Sequence, residues 1–391
     1  MLTRSCSTVW TVHREPFLSQ ITHFFRHFHT PRTYPLLRLA YIYLILYLCE
    51  GNRYLSIAVP PLTLLFAEGA VISHILVPLD GSPLAECVLP HTLAVAQALN
   101  ARITLLHVLE RPRGTGELPT DPLHWHLKKN TAKGYLDQIT TRLKEIKLDI
   151  TNVILEGIPA ELIIEYANNN DVDLIALSTH GRSGLSGWNV SSVVQKTILR
   201  AYKSTLLVRA YKPTESQVDK SYVYRRLFVG LDCSPRAEMV LPVAINLSQY
   251  HKAKLILGTV IRNPELFHCL PPSDEDLKLV NQISDRNQEA AKHYFEQLSA
   301  QFSSQNIDLT TFQIASDNVI SSLHNIVEKE NADLVILAAH GRSSDSRWPY
   351  GSIATSFIVY GNTAILIIQD IPHDEIQSTQ AELAARETKG H

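Results

Sequence analysis

No CxxC pair and no regular cysteine spacing occurs in the 391-residue chain. Its five cysteines (Cys6, Cys49, Cys87, Cys233 and Cys269) stand far apart. That excludes a zinc-finger or disulfide framework and reads as reduced thiols in a cytoplasmic protein. No GxxxxGK[ST] stretch is present, which excludes a P-loop motor ATPase. The formal charge is -2, so no global field favours nucleic acid or an anionic membrane. There is no biased block either. With 45% hydrophobic and 19% charged residues the composition is that of an ordinary folded chain.

The first 70 residues lack something the rest has: they contain no Lys and no Asp. Their longest uncharged apolar run, Leu39–Cys49, is about half the roughly 20 residues a spanning helix needs. The next, Tyr54–Ala67, is broken by Pro60 and Pro61. A membrane anchor is therefore the weaker reading, and a signal peptide fits poorly. The expectation is that residues 1–70 belong to no domain, and that Val71, opening "VISHILVPLDGS", marks the natural start.

What the sequence does have is an internal duplication. "VPLDGSPLAECVLP" from Val77 lies over "VGLDCSPRAEMVLP" from Val229, with ten of fourteen positions identical. "ARITLLHV" matches "AKLILGTV" in kind, and "NNDVDLIALSTHGRS" matches "KENADLVILAAHGRS". The register shifts between these blocks, so the second copy carries eight more residues in its middle. The period is far too long for a solenoid. Two copies of one domain are expected, at 71–210 and 225–370. A polar joint at 211–224 links them, and a polar tail spans 371–391.

Each copy alternates apolar runs of strand length with segments of helical spacing. In the first copy, strands are expected at His74–Leu79, Ile103–Val108, Asp149–Leu155, Val172–Leu177 and Thr205–Arg209. Helices are expected at Leu84–Leu99, 122–146, 160–170 and 188–201. Ser82 and Pro83 read as an N-cap and first-turn proline. In the second copy, strands are expected near 227–232, 254–261, 307–314, 333–338 and 363–369. Alternating βα order with nearly all-apolar strands predicts an α/β fold, a doubly wound parallel sheet in each copy.

Ligands of such sheets sit beyond the carboxyl ends of the strands. Two features fall there in each copy: an aspartate after strand one (Asp80, Asp232), and a glycine-bearing turn after strand four (Gly181, Gly341). Backbone N–H groups and a helix N-terminus suit phosphate, and a carboxylate opposite suits a base or ribose. That is the outline of a nucleotide site. The bland readings are turn capping for the aspartates, a left-handed backbone turn for the two glycines, and loop orientation for His180 and His340. No catalytic nucleophile, general base or metal cluster is spaced to act.

These motifs resemble the universal stress protein family, in two tandem copies covering about 71–370. The resemblance rests on "ILVPLDGSPLAE", "GIPAELIIEYA", "DLIALSTHGRSGL" and the closing strands "TLLVR" and "AILIIQ". It implies an adenine-nucleotide α-hydrolase-like fold that binds ATP or a related adenine nucleotide, with Mg2+ as companion ion, in a regulatory stress role. The family's pattern is Gly, two residues, Gly, nine residues, then Gly with Ser or Thr. Copy one has Ser178, Gly181 and Ser191-Ser192 at those positions; copy two has Ala338, Gly341 and Gly351-Ser352. By this resemblance the nucleotide-binding positions are Asp80, Val108, Gly181, Arg182, Gly184, Ser191 and Ser192, with Asp232, Val260, Gly341, Arg342, Gly351 and Ser352 in the second copy. The glycine pattern leans towards copy two. Hydrolysis, if any, would be slow. The missing glycines leave open a nucleotide-independent interaction scaffold. The resemblance also implies that the fifth strands of the two copies pair within the chain as a pseudo-dimer, with a further homodimer open.

Overall fold

The computed structural model describes residues 72–110, 122–181, 190–210, 221–264, 273–305, 307–342 and 348–371. The expectations for 1–70, most of the joint and nearly all of the tail lie outside these residues.

The first repeat runs β1 (His74–Pro78), α1 (Pro83–Glu86), α2 (Leu89–Leu99), β2 (Arg102–Leu109), α3 (Pro122–Arg142), β3 (Ile150–Glu156), α4 (Pro159–Asn169), β4 (Leu174–Ser178), α5 (Ser192–Ala201) and β5 (Ser204–Val208). The second runs β6 (Arg226–Gly230), α6 (Pro235–Glu238), α7 (Leu241–His251), β7 (Lys254–Ile261), α8 (Asp274–Phe302), β8 (Leu309–Ala315), α9 (Val319–Lys329), β9 (Leu334–Ala338), α10 (Ser352–Tyr360) and β10 (Ala364–Ile368). All ten strands form one sheet in the order β3-β2-β1-β4-β5-β10-β9-β6-β7-β8. Within each repeat every pairing is parallel.

The central strands are apolar because both their faces are covered. Every residue of β4, β5 and β10 is buried. The outermost strands, β3 and β8, are only partly buried and admit Thr, Asn and Gln. On one face a single core crosses both repeats, from Ile163 and Ile198 through Leu207 and Ile365 to Phe357 and Leu323.

The helix expected at Leu84–Leu99 is two helices. Pro90 lacks an N–H and its ring crowds the carbonyl four residues back, so the chain breaks after Glu86 and restarts at Leu89. Pro242 imposes the same break between α6 and α7. Ser82 is an N-cap as read, its hydroxyl accepting the Ala85 N–H at 3.2 Å. The helix expected over 188–201 begins at Ser192, with Ser191 as its cap. The extra residues of the second copy lie in the long helix, since α3 has 21 residues and α8 has 29.

The seam between the repeats is a strand pair. β5 and β10 run antiparallel, with Ile365 opposite Leu207 and Leu366 opposite Leu206. The Thr205 and Tyr350 hydroxyls bond across it at 3.0 Å. Arg209 donates to the Phe357 carbonyl at 2.5 Å, and burial lowers its pKa to about 10. On the other sheet face the end of the joint wedges between α2 and α7. Tyr222 N–H donates to the Pro90 carbonyl at 2.9 Å and the wholly buried Tyr224 hydroxyl meets His91 Nδ1 at 3.0 Å.

Candidate functional site

In each repeat the sheet changes direction of growth between strands one and four: β1 lies between β2 and β4, and β6 between β7 and β9. Chain leaving two such strands diverges to opposite faces, and a crevice opens at their carboxyl ends. Asp80 follows β1 by two residues, and the turn after β4 carries Gly181. The two meet: a Cβ built on Gly181 would collide with the Asp80 carboxylate, and one on Gly341 would collide with Asp232.

This corrects one expectation. Neither Gly181 nor Gly341 has a positive φ; among the described residues the glycines that do are Gly81 and Gly157. The turn after strand four needs glycine for space, because a carboxylate fills the volume a side chain would take.

Each aspartate also works as a turn cap. Asp80 Oδ1 accepts the Ser82 N–H at 2.9 Å. Asp232 Oδ1 accepts both the N–H and the hydroxyl of Ser234, at 3.0 and 2.5 Å. Its Oδ2 accepts the Arg342 N–H at 2.5 Å. The Arg342 guanidinium spans the same wall, donating to the carbonyls of Asp232 (3.0 Å) and Cys233 (3.5 Å). Cys233 adopts φ 60°, a left-handed conformation that Gly81 supplies in repeat one at φ 83°.

The helix entrances differ. Ser191 is the N-cap of α5, and its hydroxyl accepts the Val194 N–H at 3.4 Å. Gly351 is the N-cap of α10 and, having no side chain, makes no side-chain cap bond. Ser192 and Ser352 are the first helical residues behind them. Val108 and Val260, near the ends of β2 and β7, are partly buried against the core. Arg182 and Gly184 lie outside the described residues.

His340 is buried and pinned at both ring nitrogens, Nδ1 by Asp370 at 2.6 Å and Nε2 by the Trp348 carbonyl at 2.5 Å. Arg236 Nε lies 2.5 Å from the other Asp370 oxygen, close as an ion pair although off-axis for a hydrogen bond. His180 instead meets the Thr179 hydroxyl at 3.2 Å.

The sequence reading missed a tyrosine beside each crevice. The Tyr135 and Tyr294 hydroxyls are buried, with no well-aligned hydrogen bond among the described residues. Burial, and after it the Glu86 or Glu238 carboxylate, holds each phenol far above its ordinary pKa. Glu86 and Glu238 stand in the matched "PLAE" and "PRAE", so the carboxylates were visible. The tyrosines also stand in matching blocks, "AKGYLDQI" from Ala132 and "AKHYFEQL" from Ala291, which the blocks compared above do not include. Among the described residues no three His, Cys, Asp or Glu side chains cluster to hold a metal. A cavity of about 430 Å3 bordered by Ser73, Arg102, Lys147 and Asp149 lies at the amino ends of β1 and β2. That is the wrong end of the sheet for this crevice.

A profile of the Universal stress protein family matches residues 72–209 and 223–369. The chain belongs to the universal stress protein family. Its two matches are the two repeats. Universal stress protein MJ0531 of Methanocaldococcus jannaschii is 28% identical over 141 residues, 35% of this chain and 82% of that protein. Universal stress protein MJ0577 of the same organism is 27% identical over 151 residues, 34% of this chain and 93% of that protein. In fold, a universal stress protein from Archaeoglobus fulgidus aligns with TM-score 0.52 at 15% identity, covering 76% of this chain and 98% of its own. The functionally unknown PA1789 of Pseudomonas aeruginosa aligns with TM-score 0.54 at 14% identity, covering 82% and 98%. Both universal stress repeats thus share the family fold. Among the described residues no helix is long and apolar enough to cross a membrane.

Proposed function

We propose that this universal stress protein binds an adenine nucleotide such as ATP at its strand-end crevices, as a regulatory binding module. The observation that carries the reading is the meeting of Asp80 with Gly181, and of Asp232 with Gly341, at the two topological switch points. One wall offers a carboxylate for hydrogen-bond donors of a base or ribose. The other offers main-chain N–H groups and a helix N-terminus for phosphates.

The second crevice is the better phosphate site. Gly351 leaves the first turn of α10 without a side-chain cap, and Arg342 brings a cation. In the first, the Ser191 hydroxyl already takes the Val194 N–H. Any Mg2+ would arrive on the phosphates, since the described residues supply no ligand cluster for it. A cytoplasmic setting accords with the sparse, unpaired cysteine pattern.

The second reading, a scaffold that works without nucleotide, is favoured by one observation. Asp232 is already bonded to Ser234 and Arg342, so a ligand in repeat two must displace the Arg342 contacts. Titration calorimetry of the full chain with ATP and Mg2+ decides. Binding that Asp232→Ala weakens more than Asp80→Ala supports the nucleotide reading. No heat at millimolar ATP, with both variants folded, leaves the scaffold.

A further inference from the structure

Two helices begin with long segments that bury no side chain and touch the body through polar bonds, Trp125 and Lys129 to Glu156 on α3 and Ser284 to Asn263 on α8. Among the described side chains the first buried on α3 is Ala132 and the first on α8 is Ala291. From Leu123 to Thr131, and from Asp274 to Ala290, no side chain is buried. At 1.5 Å per residue these arms are about 15 Å and about 25 Å long.

Each arm carries apolar side chains in water. Leu123 is 67% and Leu127 57% exposed on α3; Leu279 is 52% and Ile283 40% exposed on α8. The spacing of the two stripes is the same. Leu123, Leu127 and Gly134 stand at i, i+4 and i+11; so do Leu279, Ile283 and Ala290. Both stripes therefore present two branched residues followed by a small one on one helical side.

Gly134 is the informative member. A mid-helix glycine weakens a helix, and no atom lies within 4 Å of where its Cβ would be. Among the described residues no packing gives a reason for it. Close approach of another helix does.

The arms are oppositely charged. From Leu123 to Gly134, α3 has Lys128, Lys129 and Lys133 and no carboxylate of its own; Lys129 is paired with Glu156 of β3 at 3.2 Å, which leaves Lys128 and Lys133 to a partner. From Asp274 to Ala290, α8 has five carboxylates against Lys278 and Arg286. They do not pair within a chain, because α3 packs at the β3 edge and α8 at the β8 edge. Nine strand spacings separate those edges, about 40 Å.

We propose that the α3 arm of one chain docks lengthwise on the α8 arm of a second copy, stripe on stripe, joining chains head to tail. Such a contact is heterologous and grows into a closed ring or an open string. It does not depend on whether nucleotide binds.

Sedimentation velocity on the full chain tests this, read against concentration at low and high salt. Self-association that weakens as salt rises is expected. Two charge-reversal variants follow: Lys128→Glu with Lys133→Glu, and Glu275→Lys with Glu289→Lys. Each alone should associate roughly tenfold more weakly or worse, because like charges then face each other. An equimolar mixture of the two should recover association, since each keeps the arm the other needs. That recovery cannot come from misfolding. Gly134→Ala should raise the melting temperature of the separate chain while weakening assembly. A wild type that stays monomeric at low salt overturns the proposal. So does association that both reversals leave unchanged, or a monomer whose arms bind only anionic vesicles.

Discussion

The Asp232 carboxylate occupies the space where a Cβ of residue 341 would stand, and its Oδ2 accepts the N–H of Arg342. The carboxylate and the glycine are therefore one structural unit. Gly341→Ala must push the carboxylate off Ser234 or Arg342, at a cost of about 1–3 kcal/mol. In an Asp232→Ala background most of that cost should vanish, since the obstacle is gone. Urea denaturation of the four members of this cycle measures the coupling. Additive costs would mean the glycine is required for backbone freedom instead.

That unit also shows what could be read in advance. Asp80, Asp232, Gly181 and Gly341 stood out because the duplication repeats them, and alternating apolar runs gave the parallel sheets. The reason for the glycines was misread. A close approach across 100 residues of sequence leaves no local trace, whereas a left-handed turn is the common local use of glycine. The split after Glu86 was legible in Pro90 and went unread, because the apolar spacing on either side is continuous. Tyr135 and Tyr294 stand in the matching blocks "AKGY" and "AKHY", but nothing local in a long helix shows that its tyrosine reaches the crevice.

The two helix entrances give a prediction of opposite sign. Ser191→Ala removes the hydroxyl that accepts the Val194 N–H and should cost about 1 kcal/mol of stability. Gly351→Ser adds a cap to α10 and should leave stability equal or slightly higher. If phosphate rests on that first turn, the same change lowers ATP affinity in repeat two. Calorimetry and thermal melts on the pair separate the effects. Unchanged affinity in Gly351→Ser would place the phosphate elsewhere.

Stability should fall in mild acid, and His91 is a main cause. It sits on α2, buried against Tyr222 and Tyr224, and desolvation lowers its pKa from 6.5 to about 4. The folded state holds the ring neutral, while the unfolded chain takes up a proton below pH 6.5. The contribution is therefore complete above pH 6.5 and is lost as pH falls towards 4. At pH 5 the loss is about 2 kcal/mol. His251 of α7, on the other side of Tyr224, is shifted down by burial and adds in the same direction. Denaturant midpoints at pH 7 and pH 5 should differ less in His91→Gln than in the wild type. An unchanged difference would assign the acid sensitivity elsewhere.

Asp370 should matter to the second repeat alone. Its side chain is wholly buried, with His340 on one oxygen and Arg236 on the other. Alignment of the repeats puts Ala210 at the matching place in the first copy and Leu84 opposite Arg236. Asp370→Ala strands a buried ring and a guanidinium that is 36% exposed. A fully buried pair broken this way costs about 3–5 kcal/mol, and the partly exposed arginine reduces that to about 2–3 kcal/mol. The loss falls where His340 holds the Trp348 carbonyl, three residues before the Gly351 cap of α10. Amide hydrogen exchange should accelerate in α10 and leave α5 as it was. Equal acceleration in both helices would mean that the seam, through β5 and β10, carries the damage into the first repeat.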